Sequence, residues 1–309
     1  MIRKLSILAA AATALSAAVP AQRQSSATPT AASASTVSIP FAPPIGVLLR
    51  YRIAKTTFGP AERSVTLEFT ARFERAGEGY RMTVAYQLPA PVRSGAADPA
   101  LVFLQRPLTL RLGGDGTLVA IEDEQAYWAG VEALLERMVA QDGPETPGGR
   151  EAMRRIIADM RGLPDEARIE KLAENFMPVI AMTGTELTIG APLRWTGQTA
   201  TIFGPMTSDV TVSLDRVEGG IAYVSATTTV PREEMERAMR AMFARIVPPG
   251  TGRAIPQDFR FHSVENSESS EVAIETGLAR RYRAARTVDV EAEGQRQRGG
   301  TIFILERIE

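Results

Sequence analysis

The chain has 309 residues, with 35 Lys and Arg against 36 Asp and Glu, one His and no Cys. Its 44% hydrophobic and 23% charged residues suit a folded globular protein and exclude collagen-like, coiled-coil, polytopic membrane and disulfide-scaffold classes. With no Cys and a single His, cysteine nucleophiles, most zinc sites and most His-based triads are also out, because those chemistries need more of these side chains.

Arg3 and Lys4 precede an apolar run from Leu5 to Val19, and Val19 and Ala21 are small residues at the spacing a signal peptidase uses. Residues 1–21 therefore read as a secretory signal peptide cleaved near Ala21, leaving a periplasmic or secreted protein with no stable membrane span. A membrane anchor is the alternative, but the run falls short of the ~20 residues that cross a bilayer. The preponderance of Arg over Lys fits a GC-rich bacterial source. Residues 22–44 are Ala, Ser, Thr and Pro with almost no large side chain, which predicts a disordered linker. Residues 45–309 are expected to form one domain with a helical insert at 124–181, the alternative being two domains split near Thr183.

From Gly46 the apolar period is two. Val47, Leu49, Tyr51 and Ile53 form one strand, Val65 to Phe73 a second, and Tyr80 to Leu88 a third, with a turn at Gly77 to Gly79. Leu108, Leu110 and Leu112 lead into a Gly113 to Gly116 turn, and Thr117 to Ile121 returns. At Glu124 the period becomes 3.6: Tyr127, Trp128, Val131, Leu134, Leu135 and Met138 make one helical stripe, and Met153, Ile156, Ile157 and Met160 a second. Pro164 opens a third helix, predicted to run to about Ile180 and to be kinked or ended by Pro178. Strands follow at Glu186 to Ile189, Gln198 to Phe203, Val210 to Val217 and Ile221 to Val230. A fourth helix after Pro231 carries Met235, Met239, Met242 and Phe243, and the last strands lie near Phe259 to Asn266, Ser270 to Thr276, Ala279 to Val290 and Thr301 to Ile308. Blocks of antiparallel strand interrupted by helix predict an α+β fold: a large curved antiparallel sheet, or incomplete barrel, with amphipathic helices packed on its concave face.

Few patterns carry chemistry. Neither a Gly-x-Ser-x-Gly elbow nor a Ser-x-x-Lys pair is present, and no glycine-rich run matches a nucleotide fingerprint. No cofactor or metal is expected, and the scattered charges argue against a nucleic-acid partner. His262 reads as a half-exposed strand residue or as a lone general base. Glu122, Asp123 and Glu124 read as favourable charges at a helix start or as acids for hydrolysis. Arg280, Arg281, Arg283 and Arg286 are the densest basic cluster, and strand alternation puts Arg280 and Arg286 on the face of Tyr282, where they could hold a phosphate or carboxylate head group. The inward series Leu67, Phe69, Phe73, Met82, Val84 and Tyr86, meeting Trp128, Met235, Met239 and Phe243 on helices, could line an apolar ligand cavity, since Met gives a deformable lining.

The order of meander from Gly46 to Leu88, helical insert from Glu124 to Ile180 and helix from Pro231 to Ile246 resembles the periplasmic lipoprotein carriers of the LolA/LolB-like superfamily. The resemblance implies a half-barrel closed by helices around an apolar cavity. Together these readings predict a non-enzymatic periplasmic protein that binds a lipid or acyl chain. The alternatives are an envelope scaffold whose protein partner the sequence does not name, or a carboxylate-based hydrolase.

Overall fold

A computed structural model describes residues 35–59, 62–87, 106–141, 154, 157–158, 160–201, 204–238, 260–292 and 294–308. The first long strands follow from the period-two pattern. In β2 (Leu48–Phe58) Leu49, Tyr51 and Ile53 are buried while Arg50 and Arg52 are exposed, and in β3 (Arg63–Ala76) Phe69, Ala71 and Phe73 are buried. Burying each such large side chain contributes roughly 1.5–3 kcal/mol, which fixes the register against a one-residue slip. β4 (Gly79–Gln87), β5 (Leu108–Leu112) and β6 (Leu118–Ile121) continue this meander.

A second meander runs through β8 (Leu193–Thr201), β9 (Gly204–Glu218), β10 (Ile221–Thr229), β11 (Arg260–Ala273), β12 (Ala279–Ala292) and β13 (Gln295–Ile308). The two join where β13 pairs antiparallel with β2, giving one unclosed sheet of eleven strands in the order β6-β5-β4-β3-β2-β13-β12-β11-β10-β9-β8. The Ser-rich stretch between the strands expected to end near Asn266 and to begin at Ser270 is the middle of β11. It continues as strand because β10 and β12 pair with it on both sides, and a central position overrides weak local propensity.

Two corrections concern the connections. Within the segment expected to be linker, β1 (Thr36–Ile39) pairs antiparallel with β7 (Thr185–Thr188), with Ile39 fully buried and Phe41 nearly so. Its partner lies some 150 residues further along the chain, so local composition carried no sign of it. Residues 22–34 lie outside the described residues. The third helix also stops early: α2 (Asp165–Ala173) is followed by a turn and a 3-10 segment (Met177–Val179), with α1 (Glu124–Gln141) preceding it. Pro178 accounts for this, because its ring would strike the carbonyl of Glu174 and it offers no N–H to a longer helix. A last helix, α3, covers residues 232–238.

Two apolar clusters are built from described residues. One gathers the buried face of β2–β6 with Leu278, Tyr282, Leu305, Tyr127, Ala173, Phe176 and Val179. Phe176 sets its ring against Phe69 at 5.1 Å and Tyr86 at 5.4 Å. The other gathers Val210, Val212, Leu214, Ala222, Val224 and Val272 beneath Ile39, Met182 and Leu187. The chain from Ile39 to Phe41 thus bridges both clusters. It is tied down by Ala42 N–H donating to the Thr276 carbonyl at 3.1 Å and by the close passage of Pro40 over Gly277.

Candidate ligand site

Register assigns one face of the sheet, here the inner face, to the apolar residues expected there. Phe69, Phe73, Met82 and Val84 are buried and covered by neighbouring side chains, whereas Leu67 and Tyr86 are half-buried. Trp128 and Met235 are buried but belong to neither cluster above. Met239 and Phe243 lie outside the described residues. The most open part of this face is reached by following β3 towards its start, where exposure rises from 0% at Phe69 to half-buried at Leu67 and 56% at Val65. On β13 the same trend takes fully buried Leu305 to half-buried Phe303 and Thr301.

Across this open part, five adjacent strands place polar side chains in register. Thr228 of β10 stands opposite Asn266 of β11, Asn266 opposite Arg286 of β12, Arg286 opposite Thr301 of β13, and Thr301 opposite Thr57 of β2. All five are half-buried, and the row is about 20 Å wide at the usual strand spacing. The neighbouring row runs Glu268, Ala284, Phe303, Lys55. Apolar Val264 and Val288, also half-buried, flank the polar row on its other side.

The electrostatics of these rows are set by desolvation. Burial lowers the Arg286 guanidinium to about 10, with Glu268, Tyr282 and Glu174 pulling the other way, so it is still charged at neutral pH. Among the described residues no carboxylate comes within ion-pairing distance of Arg286 or Lys55. Burial pushes the Glu268 carboxyl above its ordinary value, opposed by a hydrogen bond donated by the Tyr282 hydroxyl and by the charge of Arg286. Burial and Glu268 together push Tyr282 far up. The hydroxyl of Thr301 is buried without a hydrogen-bond partner. A half-buried cation without an ion pair and a buried hydroxyl without a partner therefore occupy adjacent register positions.

The other arginine expected beside Tyr282 is elsewhere. Arg280 is exposed, because a bulge between Glu271 and Val272 shifts the β11–β12 register, leaving Ala279 and Tyr282 buried with two exposed arginines between them. Alternation counted back from Tyr282 misses this, since a bulge inserts one residue without a composition signal.

The acidic residues singled out at the start of α1 are each engaged by a different arginine. Glu122 pairs with Arg81 at 2.7 Å, Asp123 with Arg106 at 3.0 Å and Glu124 with Arg168 at 2.9 Å. His262 sits at a register shift in β11, half-exposed, with its Nε2 2.9 Å from Glu291. Neighbouring Asp289 takes three hydrogen bonds from Arg296, two from its Nε and one from its Nη2, which hold its carboxyl below the ordinary range. Among the described residues no group of three or more His, Cys, Asp or Glu could hold a metal ion, and no helix is long and apolar enough to cross a membrane. Thr57, Asn266, Thr301 and Lys55 were not foreseen; only their positions opposite Arg286, Thr301 and Phe303 single them out, and pairing across strands is absent from a single sequence.

No family profile and no curated protein matches the chain. A solved structure titled "Lipid-protein interactions in lipovitellin" aligns over 86% of this chain with a TM-score of 0.44 and 9% identity. This chain spans 25% of the length of that one.

Proposed function

We propose that the protein is a non-enzymatic binder of an apolar ligand, a lipid or acyl chain, received on the inner face of its sheet. The observation that carries the reading is the passage along β3 from wholly covered Phe69 to largely exposed Val65 on one face of one strand. A sheet face that only filled a core would stay covered along its length, whereas this one emerges with Val65, Leu67 and Phe303 partly open on one side of the polar row and Val288 on the other. An eleven-stranded sheet curls. Its curling makes the inner face concave, with the helices and the β1/β7 pair closing over it as in the lipoprotein carriers. The protein works in the periplasm or outside the cell, after cleavage near Ala21.

Native mass spectrometry of protein exported to a bacterial periplasm and purified without detergent tests this. A discrete additional mass that extracts into organic solvent as lipid is expected. A clean unliganded mass, together with failure to enhance the fluorescence of the apolar dye N-phenyl-1-naphthylamine, would overturn the reading. It would turn attention to the sheet's two edges, where Val119 and Leu193 are exposed.

A further inference from the structure

The inner face carries a charge that an apolar ligand alone would not use. Arg286 is held among β-strand side chains with no carboxylate among the described residues within ion-pairing distance, only the more distant charges of Glu268 and Glu174, and a cation in that position is costly until an anion completes it. Thr301, directly opposite on β13, offers a buried hydroxyl that donates to nothing. Lys55, opposite Phe303 on β2, is a second cation on the same face, and Arg63, paired with Thr57, ends the polar row in a third. Glu268 in the adjoining row is buried, its carboxyl raised by that burial against the pull of Tyr282 and Arg286.

Arg286, Thr301 and Lys55 share one requirement, a negatively charged hydrogen-bond acceptor. They lie beside Phe303, Val288 and Leu67 rather than on the solvent face of the sheet. Resting on the apolar-ligand reading above, we infer that the ligand is an amphiphile with an anionic head group, a carboxylate or phosphate. The head group is received by Arg286 and Thr301, with Lys55 beside them, while its chain lies along Phe303 and Leu67 towards Val65. A guanidinium matches either head group with two parallel N–H donors, and the Thr301 hydroxyl supplies a third.

The test is displacement of N-phenyl-1-naphthylamine, a neutral apolar probe, from the purified protein by palmitate, hexadecyl phosphate and hexadecanol, which share a chain and differ in head group. Both anions are expected to displace the probe at least about tenfold more effectively than the alcohol, the size of one charge-assisted hydrogen bond. Arg286→Gln should abolish that preference, bringing palmitate and hexadecyl phosphate to the potency of hexadecanol. Thr301→Val, which removes no hydrogen bond within the protein, should weaken the anions severalfold. Glu268→Gln should bind anions at least as tightly as the wild type, whereas an Arg286 that served only to balance Glu268 would give no anion preference in the wild type and acquire one only in Glu268→Gln. Equal displacement by all three compounds, unaltered in Arg286→Gln, would overturn the head-group site and leave the apolar reading standing. Displacement by none of them would overturn both.

Discussion

Glu268 is a buried carboxyl on the inner face of β11, opposite Ala226 and Ala284, and its response to pH follows from that burial. Because burial raises its folded-state pKa, it holds its proton more tightly folded than unfolded. Relative to a glutamine at the same position, its contribution to stability is greatest below the unfolded value of 4.5 and is lost as pH rises through the folded value. Thermal unfolding of wild type and Glu268→Gln is therefore expected to diverge as pH rises, with the variant gaining. Parallel curves from acid to neutral pH would show that the carboxyl is not desolvated. This residue was not legible beforehand, since nothing in the Ser-Glu-Ser-Ser run reveals which of its members faces Tyr282. Arg286 was legible: its spacing of four from Tyr282 survives because no bulge intervenes, whereas Arg280, on the other side of Tyr282, is carried to the exposed side by one.

Among the elements, the segment around β1 is the clearest departure from expectation, and it has a specific anchor. Gly277 has φ +74°, and a Cβ there would lie 1.9 Å from the Pro40 carbonyl oxygen. Gly277→Ala therefore combines an unfavourable backbone conformation, about 1–3 kcal/mol, with a collision against backbone. A lowered melting temperature is expected, together with faster proteolytic cutting around residues 36–42 as the segment lifts from its two clusters. An unchanged melting temperature would mean that the segment is not docked where Pro40 passes over Gly277. Composition concealed this element. Three apolar residues, Val37, Ile39 and Phe41, stand in a run of Ala, Ser, Thr and Pro, and their worth depends on β7, which only the fold brings near. The helices were legible in kind but not in extent, since α2 ends where Pro178 begins to act rather than where its apolar stripe ends.

For the molecule as a whole, stability turns on the seam between the two meanders. β13 is the sixth of the eleven strands, and Leu305, near its C-terminal end, is fully buried between Tyr282 and Ile53. Leu305→Ala is expected to cost about 2–5 kcal/mol in chemical denaturation, as for other large core truncations. Val119→Ala, on exposed edge strand β6, should stay within about 0.5 kcal/mol. Comparable losses at the two positions would contradict a central role for β13. Each meander could be read in order from alternation and turn residues such as Gly77 and Gly219. Their joining could not, because it pairs a strand near residue 50 with one near residue 305.

That seam also dictates an order of events in biogenesis. The central strand is made after all ten others, so as the chain emerges its two meanders must wait as separate sheets, each with an unpaired edge. Only the arrival of the fourteen residues of β13 can weld them. Until then β2 and β12 each present a long row of unsatisfied backbone groups, and a chaperone that masks those edges would find its task ended by a single late pairing.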